Sequence, residues 1–216
     1  MFKKYLSNSF LAKAVLFIFY KFKKFENSQK YWEARYQKGG NSGIGSYDNL
    51  AHFKASIINN FVKQNNISHI DELGCGDGNQ LTFAKYPNYV GYDVSETILE
   101  KVKIKFKEDN TKQFFNISDY SKLKSKLEAV LSLDVIYHLI EDEIFKTHME
   151  RLFDGYKFVI IFSTNFNDKF YNGGHVKNRQ FTDWINKNVS DYKLIKQIDN
   201  TDGYSKVNFY IFEKIY

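Results

Sequence analysis

Residues 72–78 combine a carboxylate with closely spaced glycines, a pattern suited to holding a nucleoside. Glu72 lies in an apolar-rich stretch that begins at Ile70, and glycine occupies positions 74, 76 and 78. Glycine lets a backbone turn sharply and approach a ligand closely. About twenty residues further on, Asp93 ends a second short stretch, where its carboxylate could accept both ribose hydroxyls. The spacing predicts a nucleoside-binding turn at the end of a buried strand.

The glycine spacing also distinguishes between nucleoside ligands. A dinucleotide fingerprint, G-x-G-x-x-G, would place its third glycine at position 79, which is Asn79. The run instead reads acid-x-G-x-G-x-G from Glu72 to Gly78. This argues against a dinucleotide.

The elements that must position these residues alternate between strand-like and helix-like patterns. The strands are nearly continuous in apolar residues, which is typical of a parallel sheet covered on both faces. Asp202-Gly203 separates the last two strand-like stretches and is a hairpin signal, so an antiparallel hairpin is predicted to close the sheet. After a helix at 49–63 and the strand before the glycine turn, the predicted order is helix 79–85, strand 88–92, helix 95–107, strand 112–116, helix 120–127, strand 129–134, helix 141–153, strand 157–163, helix 180–187, and strands 191–198 and 206–214.

Four segments, taken in order, resemble the motifs of class I S-adenosylmethionine-dependent methyltransferases. They are the glycine turn 72–78, residues 91–95, residues 117–119, and residues 133–139 with the pattern D-V-x-x-H-L. The resemblance implies an α/β, Rossmann-like, doubly wound fold with a mostly parallel seven-stranded sheet and an antiparallel C-terminal hairpin strand. It also implies S-adenosylmethionine as cofactor and S-adenosylhomocysteine as product.

The same resemblance implies individual cofactor contacts. Asp93 would bind the ribose diol, Asp119 the adenine amino group, and Glu72 would lie near the amino end of the methionine moiety. The full set of cofactor-binding residues predicted in this way is Glu72, Gly74, Cys75, Gly76, Asp93, Val94, Asp119 and Asp134.

Several acceptor classes are disfavoured. The net charge of +6 resides in the first 30 residues, and a neutral remainder argues against a nucleic-acid partner. Cys75 is the only cysteine and is committed to the glycine turn, which argues against cytosine C5 chemistry. Glu141 and Asp142 resemble first-turn charges of a helix more than metal ligands, so no metal is predicted. A small-molecule acceptor remains.

A neutral hydroxyl or amine acceptor would need a base. The candidate catalytic residues are His138 after the fourth strand, its neighbour Tyr137, and His175 in the glycine-hinged loop 172–179. A structural role, in which His138 holds its loop by hydrogen bonds, is an equal alternative. His69 and His148 look like a strand-edge and a helix-surface residue.

The segment 31–47 resembles bacterial methyltransferases of capsule and surface-polysaccharide biosynthesis, including the O-methyl phosphoramidate type. This resemblance implies O-methylation of a small, anionic acceptor. The alternatives left open are an N-methyltransferase for an amino sugar or small amine, and a non-catalytic methyltransferase-like subunit. The residues expected to bind the acceptor are Tyr31, Arg35, Ser42, Tyr47 and Arg179.

The first residues are basic and apolar. Seven lysines and one acid occur in residues 1–30, and the apolar run 14–20 is far shorter than the ~20 residues that span a bilayer. Residues 1–26 could pack on the body, bind a protein partner, or lie at a membrane surface. We expect an N-terminal helix and lid segment at 1–47 and the cofactor-binding domain at 48–216. A single cysteine favours a cytoplasmic location, with peripheral membrane association as an open alternative.

Overall fold

One seven-stranded sheet organises the computed structural model, which describes residues 25–123, 126–171, 173–201 and 206–216. The strand order is β3-β2-β1-β4-β5-β7-β6, with β7 antiparallel to both of its neighbours and the first five strands parallel. The predicted doubly wound sheet with an antiparallel C-terminal hairpin strand is confirmed. The strands are β1 Ile70–Leu73, β2 Tyr89–Asp93, β3 Lys112–Asn116, β4 Ala129–Leu133, β5 Phe158–Ser163, β6 Tyr192–Ile198 and β7 Asn208–Lys214.

The central strands have continuous apolar patterns because both of their faces are covered. All residues of β4 and β5 are buried. The edge strand β6 is mostly exposed and carries lysines at 193 and 196, which is how natural sheets commonly protect an open edge. The sheet therefore has a core on each face and a polar rim at β6.

Six α-helices surround the sheet in the described ranges. One apolar cluster joins α2 to one face through Ile58 and Phe61. The other joins α5 and α6 to the opposite face through Phe145 and Phe181. Two layers of helix thus enclose the sheet. The helices are α1 Ser28–Gln37, α2 Asp48–Gln64, α3 Glu96–Lys105, α4 Tyr120–Leu123, α5 Asp142–Leu152 and α6 Phe181–Asn188.

The turn after β1 departs from the predicted helix at 79–85. A short 3-10 helix, Gln80–Phe83, occupies this place. The chain from 74 to 79 is held by hydrogen bonds to other segments, including the side-chain amide of Asn79 donating to the carbonyl of Ser46. These long-range contacts, together with Pro87 downstream, leave no room for a regular helix of two turns.

The head helix α1 packs directly on the body. Glu33 accepts hydrogen bonds from the hydroxyls of Ser95 and Thr97 at the start of α3. Lys101 of α3 donates to the carbonyl of Tyr36, 2.8 Å away. Helix α1 is therefore hydrogen-bonded to the start of α3, near the carboxyl end of β2. The division of the chain at residue 47 remains an expectation.

Some expectations fall on parts of the chain outside the described residues. These are the structure of residues 1–24, the end of the helix predicted at 120–127, and the Asp202-Gly203 turn. Within the described ranges, no helix is both long and apolar enough to cross a lipid bilayer.

Candidate functional site

A cavity of about 570 Å³ lies at the carboxyl ends of β1, β2 and β4, under helix α1. Ligands of open α/β sheets bind at this edge, on either side of the point where the strand order reverses. Here that point lies between β1 and β4, because the chain continues from β1 to β2 on one side and from β4 to β5 on the other. The predicted site residues that line the cavity are Ser42, Glu72, Gly74, Cys75, Gly76, Asp93, Val94, Asp134 and His138.

Asp93 at the end of β2 is oriented by the glycine turn. Its two carboxylate oxygens accept hydrogen bonds from the backbone N–H groups of Gly76 and Ser95, each at 3.0 Å. Burial raises the pKa of Asp93 to about 6, against the opposing effect of these donors. A carboxylate can accept more than two hydrogen bonds, so Asp93 retains capacity for a ribose diol.

Glu72 is buried at the end of β1. The hydroxyl of Tyr89 donates to it at 2.6 Å. Burial raises the pKa of Glu72 to about 7, an effect that the positive charge of Lys54 partly offsets. A positive charge placed beside Glu72 would favour its ionised form.

Asp134 is held by two side chains. Lys54 Nζ lies 2.7 Å from one carboxylate oxygen, and the hydroxyl of Tyr137 donates to the other at 2.8 Å. The side chain of Lys54 is only 1% exposed, and the backbone of Asp134 has a φ of 60°. A left-handed backbone at a non-glycine residue is uncommon and often marks a functional site. Tyr137 therefore contacts the cavity through Asp134.

Sequence reasoning missed Lys54. The signal was available, because Lys54 lies one helical turn after Leu50 on the apolar face of α2. A lysine at such a position is seldom buried unless it is paired, and its partner follows β4, 80 positions further along the chain.

The loop between α1 and α2, residues 38–47, is here called the head loop. It is hydrogen-bonded to the glycine turn through Asp77, which sequence reasoning also missed. Asp77 accepts hydrogen bonds from the backbone of Ser42 and the hydroxyl of Tyr47, and its own N–H donates to the Ser42 hydroxyl. A Cβ at Gly45 would lie 2.7 Å from an Asp134 oxygen. Only glycine allows the loop this close to Asp134, so the head loop covers the site.

His138 faces the cavity from the loop after β4. Its Nδ1 lies 2.9 Å from the carbonyl oxygen of His175. The indole of Trp32 meets the imidazole edge-on at 5.0 Å between ring centroids. Burial lowers the pKa of His138 to about 4. The ring is therefore neutral at physiological pH.

The other predicted residues lie outside the cavity lining. His175 stacks on Tyr31, with ring centroids 4.4 Å apart. The Arg35 Nε donates to the carbonyl of Asn41 at 2.6 Å. Asp119 is half-buried in the 3-10 turn after β3, while its neighbours Asn116, Ile117 and Ser118 line the cavity.

Arg179 was expected to bind the acceptor, but its guanidinium is used within the fold. It donates to the carbonyls of Leu139 and Ile140 and pairs with Asp142 at 2.7 Å. These contacts hold the loop that carries His138, and a role for Arg179 in acceptor binding stays a prediction.

Of the other histidines that sequence reasoning singled out, His148 differs from the prediction. His148 is buried on α5, 2.8 Å from the hydroxyl of Ser132, and is not a surface residue. His69 is buried and pairs with Asp71 at 3.0 Å. His69 lies immediately before β1, at the edge of the strand, as predicted. The prediction for His148 was wrong because the apolar stripe of a helix tolerates a histidine that finds a partner.

The cavity fits a sulfonium nucleoside. It presents Asp93 for a ribose and Glu72 for a positively charged group, while Asp134 is already paired with Lys54. Gly74 has a φ of 94°, and a Cβ there would collide with Val135, so this backbone closes tightly over the adjoining loop. Among the described residues, no group of three or more histidine, cysteine or acidic side chains is arranged to hold a metal ion.

No family model matches the sequence, and no curated protein matches it either. Solved structures do match. The N-methyltransferase NodS from Bradyrhizobium japonicum WM9, in complex with S-adenosyl-L-homocysteine, is 12% identical with a TM-score of 0.67, over 88% of this chain and 99% of that one. The magnesium protoporphyrin IX methyltransferase ChlM from Synechocystis PCC 6803, with bound S-adenosylmethionine, is 14% identical with a TM-score of 0.63, over 88% and 98%.

The methyltransferase domain of a bacterial Hen1 protein, CtHen1-C, is 22% identical with a TM-score of 0.61, over 78% of this chain and all of that one. These matches, over most of this chain and nearly all of each solved chain, show that it has the Rossmann-like fold of S-adenosylmethionine-dependent methyltransferases.

Proposed function

We propose that this chain is an S-adenosylmethionine-dependent methyltransferase that acts on a small-molecule acceptor. The observation that carries the proposal is the convergence of Asp93, Glu72 and Asp134 around the glycine turn in one cavity of about 570 Å³. The shared fold supports it, since the NodS and ChlM structures hold the cofactor or its product.

Several residues that line the cavity are assigned to particular groups of the cofactor in this proposal. Asp93 accepts the ribose hydroxyls, and the glycine turn passes beneath the methionine moiety. Glu72 and the Lys54–Asp134 pair face its charged end, and Val94, Ile117 and Ser118, which also line the cavity, are assigned to the adenine end. When bound, the cofactor supplies an electrophilic methyl group on a sulfonium sulfur. The protein then has to align the acceptor and exclude water.

Helix α1 supplies the other wall of the cavity. Trp32 and Tyr36 line it on this side, together with the polar residues at the start of the helix. Aromatic faces and a few hydrogen-bonding groups suit a sugar or another small organic molecule. We propose that the acceptor binds in this part of the cavity, next to Trp32 and His138.

The resemblance of segment 31–47 to enzymes of bacterial capsule and surface-polysaccharide biosynthesis favours O-methylation. A phosphoramidate or a sugar nucleotide is the leading candidate acceptor. N-methylation of an amino sugar or small amine is the second candidate, and the fold shared with the N-methyltransferase NodS favours it. Methylation assays with one acceptor of each kind would distinguish these two reactions.

Calorimetric titration with S-adenosylmethionine tests the cofactor assignment. We expect binding by the intact chain and at least a tenfold loss in Asp93→Asn, because two ribose hydroxyls lose a charged acceptor. Asp109→Asn, at an exposed turn before β3, is the matched control and should bind normally. Absence of binding by the intact chain would leave only a non-catalytic role.

We also propose a cytoplasmic location and an attachment role for residues 1–26. The first 24 residues contain six lysines and no acid, and Asn27, Ser28 and Gln29, which follow soon after them in sequence, line the cavity. An anionic lipid surface is one partner that this charge would attract. Co-sedimentation with anionic and zwitterionic vesicles, with and without residues 1–24, measures it. Equal partitioning in all four cases would leave a protein partner or the body of the domain.

A further inference from the structure

The imidazole of His138 has one nitrogen committed within the fold and one that remains available. Nδ1 lies 2.9 Å from the carbonyl oxygen of His175. A carbonyl oxygen only accepts hydrogen bonds, so Nδ1 carries the proton. In the neutral ring, Nε2 then has a lone pair and no hydrogen. His138 lines the cavity, and none of the described side chains or backbone groups donates to Nε2.

The surroundings of His138 keep it in this neutral form. Burial lowers its pKa to about 4, and the rings of Trp32 and Tyr137 pack against it at centroid distances of 5.0 and 4.6 Å. A neutral Nε2 can accept a hydrogen bond but cannot donate one. A phosphate-like oxygen placed against it would bring two lone pairs together.

The carbonyl of His175 is held in place from two sides. The His175 ring stacks between Tyr31 at 4.4 Å and His138 at 5.6 Å, with interplanar angles of 12° and 9°. Two residues later, the N–H of Lys177 donates to the carbonyl of Tyr137 at 2.8 Å. The loop that carries His175 is therefore fixed against both α1 and the loop after β4.

We infer that the methyl acceptor presents an O–H or N–H group to Nε2 of His138, and that His175 is a positioning residue whose main-chain carbonyl selects the required tautomer. The methylated atom is then an alcohol oxygen, as on the sugar of a sugar nucleotide, or an amine nitrogen, and the inference removes the phosphoramidate oxygen from the candidate acceptors named above. This inference rests on the proposed methyl transfer. It reassigns His175, whose imidazole was expected to be catalytic.

The inferred proton transfer completes the reaction. The acceptor oxygen or nitrogen forms the new bond to the methyl carbon with its own lone pair. The electron pair of the broken carbon–sulfur bond stays on sulfur, and the acceptor proton passes to Nε2 of His138. Release of that proton to solvent restores the neutral ring.

Nitrogen-15 NMR of histidine-labelled full-length protein at neutral pH tests the tautomer without any enzyme turnover. His138, assigned by loss of its signal in His138→Gln, should show a protonated Nδ1 and an unprotonated Nε2. Exposed His52 is the internal control and should show exchange between tautomers. A protonated Nε2 in His138 would overturn the inference, whether or not calorimetry detects cofactor binding.

Two variants test the role of His175. His175→Phe keeps a ring for the stack and keeps the carbonyl, so the His138 spectrum should be unchanged. His175→Gly removes the stack, and His138 should then populate both tautomers. If His175→Phe shifts the His138 tautomer as strongly as His175→Gly does, positioning through the stack is excluded.

The acceptor class is tested with the same labelled protein in the presence of S-adenosylhomocysteine. Glucosamine and glucose serve as amine and alcohol probes, and inorganic phosphate as the anionic probe. We expect the Nε2 signal to move with the sugars at millimolar concentration and not with phosphate. A response to phosphate, or none to either sugar, contradicts the inference.

Discussion

Two buried carboxyl groups in the cavity, those of Glu72 and Asp134, are stabilised in different ways. Glu72 receives one hydrogen bond from Tyr89 and has its pKa raised to about 7 by burial. Asp134 has Lys54 as a direct partner at 2.7 Å. The first carboxyl group can therefore change its charge as the cavity fills, whereas the second belongs to a fixed ion pair.

Glu72→Gln should stabilise the cofactor-free protein at alkaline pH. A carboxyl group whose folded pKa is above its unfolded value of 4.5 contributes stability below 4.5, and that contribution is lost as pH rises through 7. The variant removes this loss, worth on the order of 2 kcal/mol of unfolding free energy at pH 8. Urea unfolding at pH 5 and pH 8 measures it. Exposed Glu100→Gln is the control, and an equal pH slope in wild type and Glu72→Gln would refute the assignment.

Lys54→Met should destabilise the fold. Removing one partner of a buried pair leaves the other charge uncompensated, at a cost of about 3–5 kcal/mol. Asp134→Asn introduced into Lys54→Met should recover part of that loss, because the isolated charge is then absent. Urea unfolding of the two single variants and the double variant gives the coupling. Lys63→Met, exposed near the end of α2, should change stability little, and additive effects of the two site substitutions would disprove the pairing.

At the scale of elements, the head of the chain and the glycine turn form one assembly. Glu33 of α1 receives hydroxyl donors from the start of α3, and Asp77 of the turn receives donors from the head loop. The glycine turn, the head loop and α1 are therefore held together by carboxylates, Glu33 and Asp77, that do not line the cavity. Because residues 39–47 include four glycines, the loop depends on these contacts for its order.

Glu33→Ala should loosen α1 without unfolding the sheet. The hydrogen bonds from Ser95 and Thr97 hold the pKa of Glu33 below its usual range, so the ionised form is the one that binds α3. Hydrogen exchange should increase about tenfold in residues 28–47 and at the start of α3, and stay unchanged in β4 and β5. Glu26→Ala, whose partner is Lys30 on the exposed face, is the matched control. Equal protection of α1 in wild type and Glu33→Ala would show that apolar packing alone holds the helix.

For the whole molecule, two sets of buried groups respond to pH in opposite directions. Burial lowers the pKa of His138 to about 4 and that of His148 to about 3. Their contribution to stability is present above the unfolded value of 6.5 and is lost as pH falls toward the folded values. Burial raises the pKa of Glu72 to about 7 and that of Asp93 to about 6, so their contribution is lost as pH rises. Between pH 4.5 and 7 the two effects oppose each other.

His148→Gln should change the pH dependence of stability, because it removes one of the two buried histidines that oppose the acidic groups. The glutamine amide can still pair with the Ser132 hydroxyl, but it takes up no proton in the unfolded chain. The variant should therefore become more stable on acidification from pH 7 to pH 5, while wild type changes much less. Thermal unfolding at these two pH values measures the difference. His52→Gln at an exposed site controls for loss of a histidine, and parallel behaviour of the two variants would count against a buried neutral His148.

Local pattern was sufficient for the alternation of strands and helices. The buried strands could be predicted because short stretches rich in apolar residues, such as Phe158–Phe162 of β5, alternate with turn residues. The helix predicted at 79–85 was wrong, because tertiary contacts to the head loop decide the backbone there. Contacts of this kind join residues more than thirty positions apart, and no local pattern specifies them.

The sequence by itself determined which residues could contact a nucleoside: the glycines of the turn, Glu72, Asp93 and Asp134 follow strands in a fixed order. The carboxyl ends of parallel strands meet at one edge, so this order is enough to bring them together. Only the tertiary structure decided the partners. It paired Lys54 with Asp134, engaged Arg179 within the fold, buried His148, and placed the carbonyl of His175 on His138. Each of these contacts depends on how separate elements pack. Packing determines the charge, tautomer and accessibility of a side chain, and the residues next to it in sequence do not.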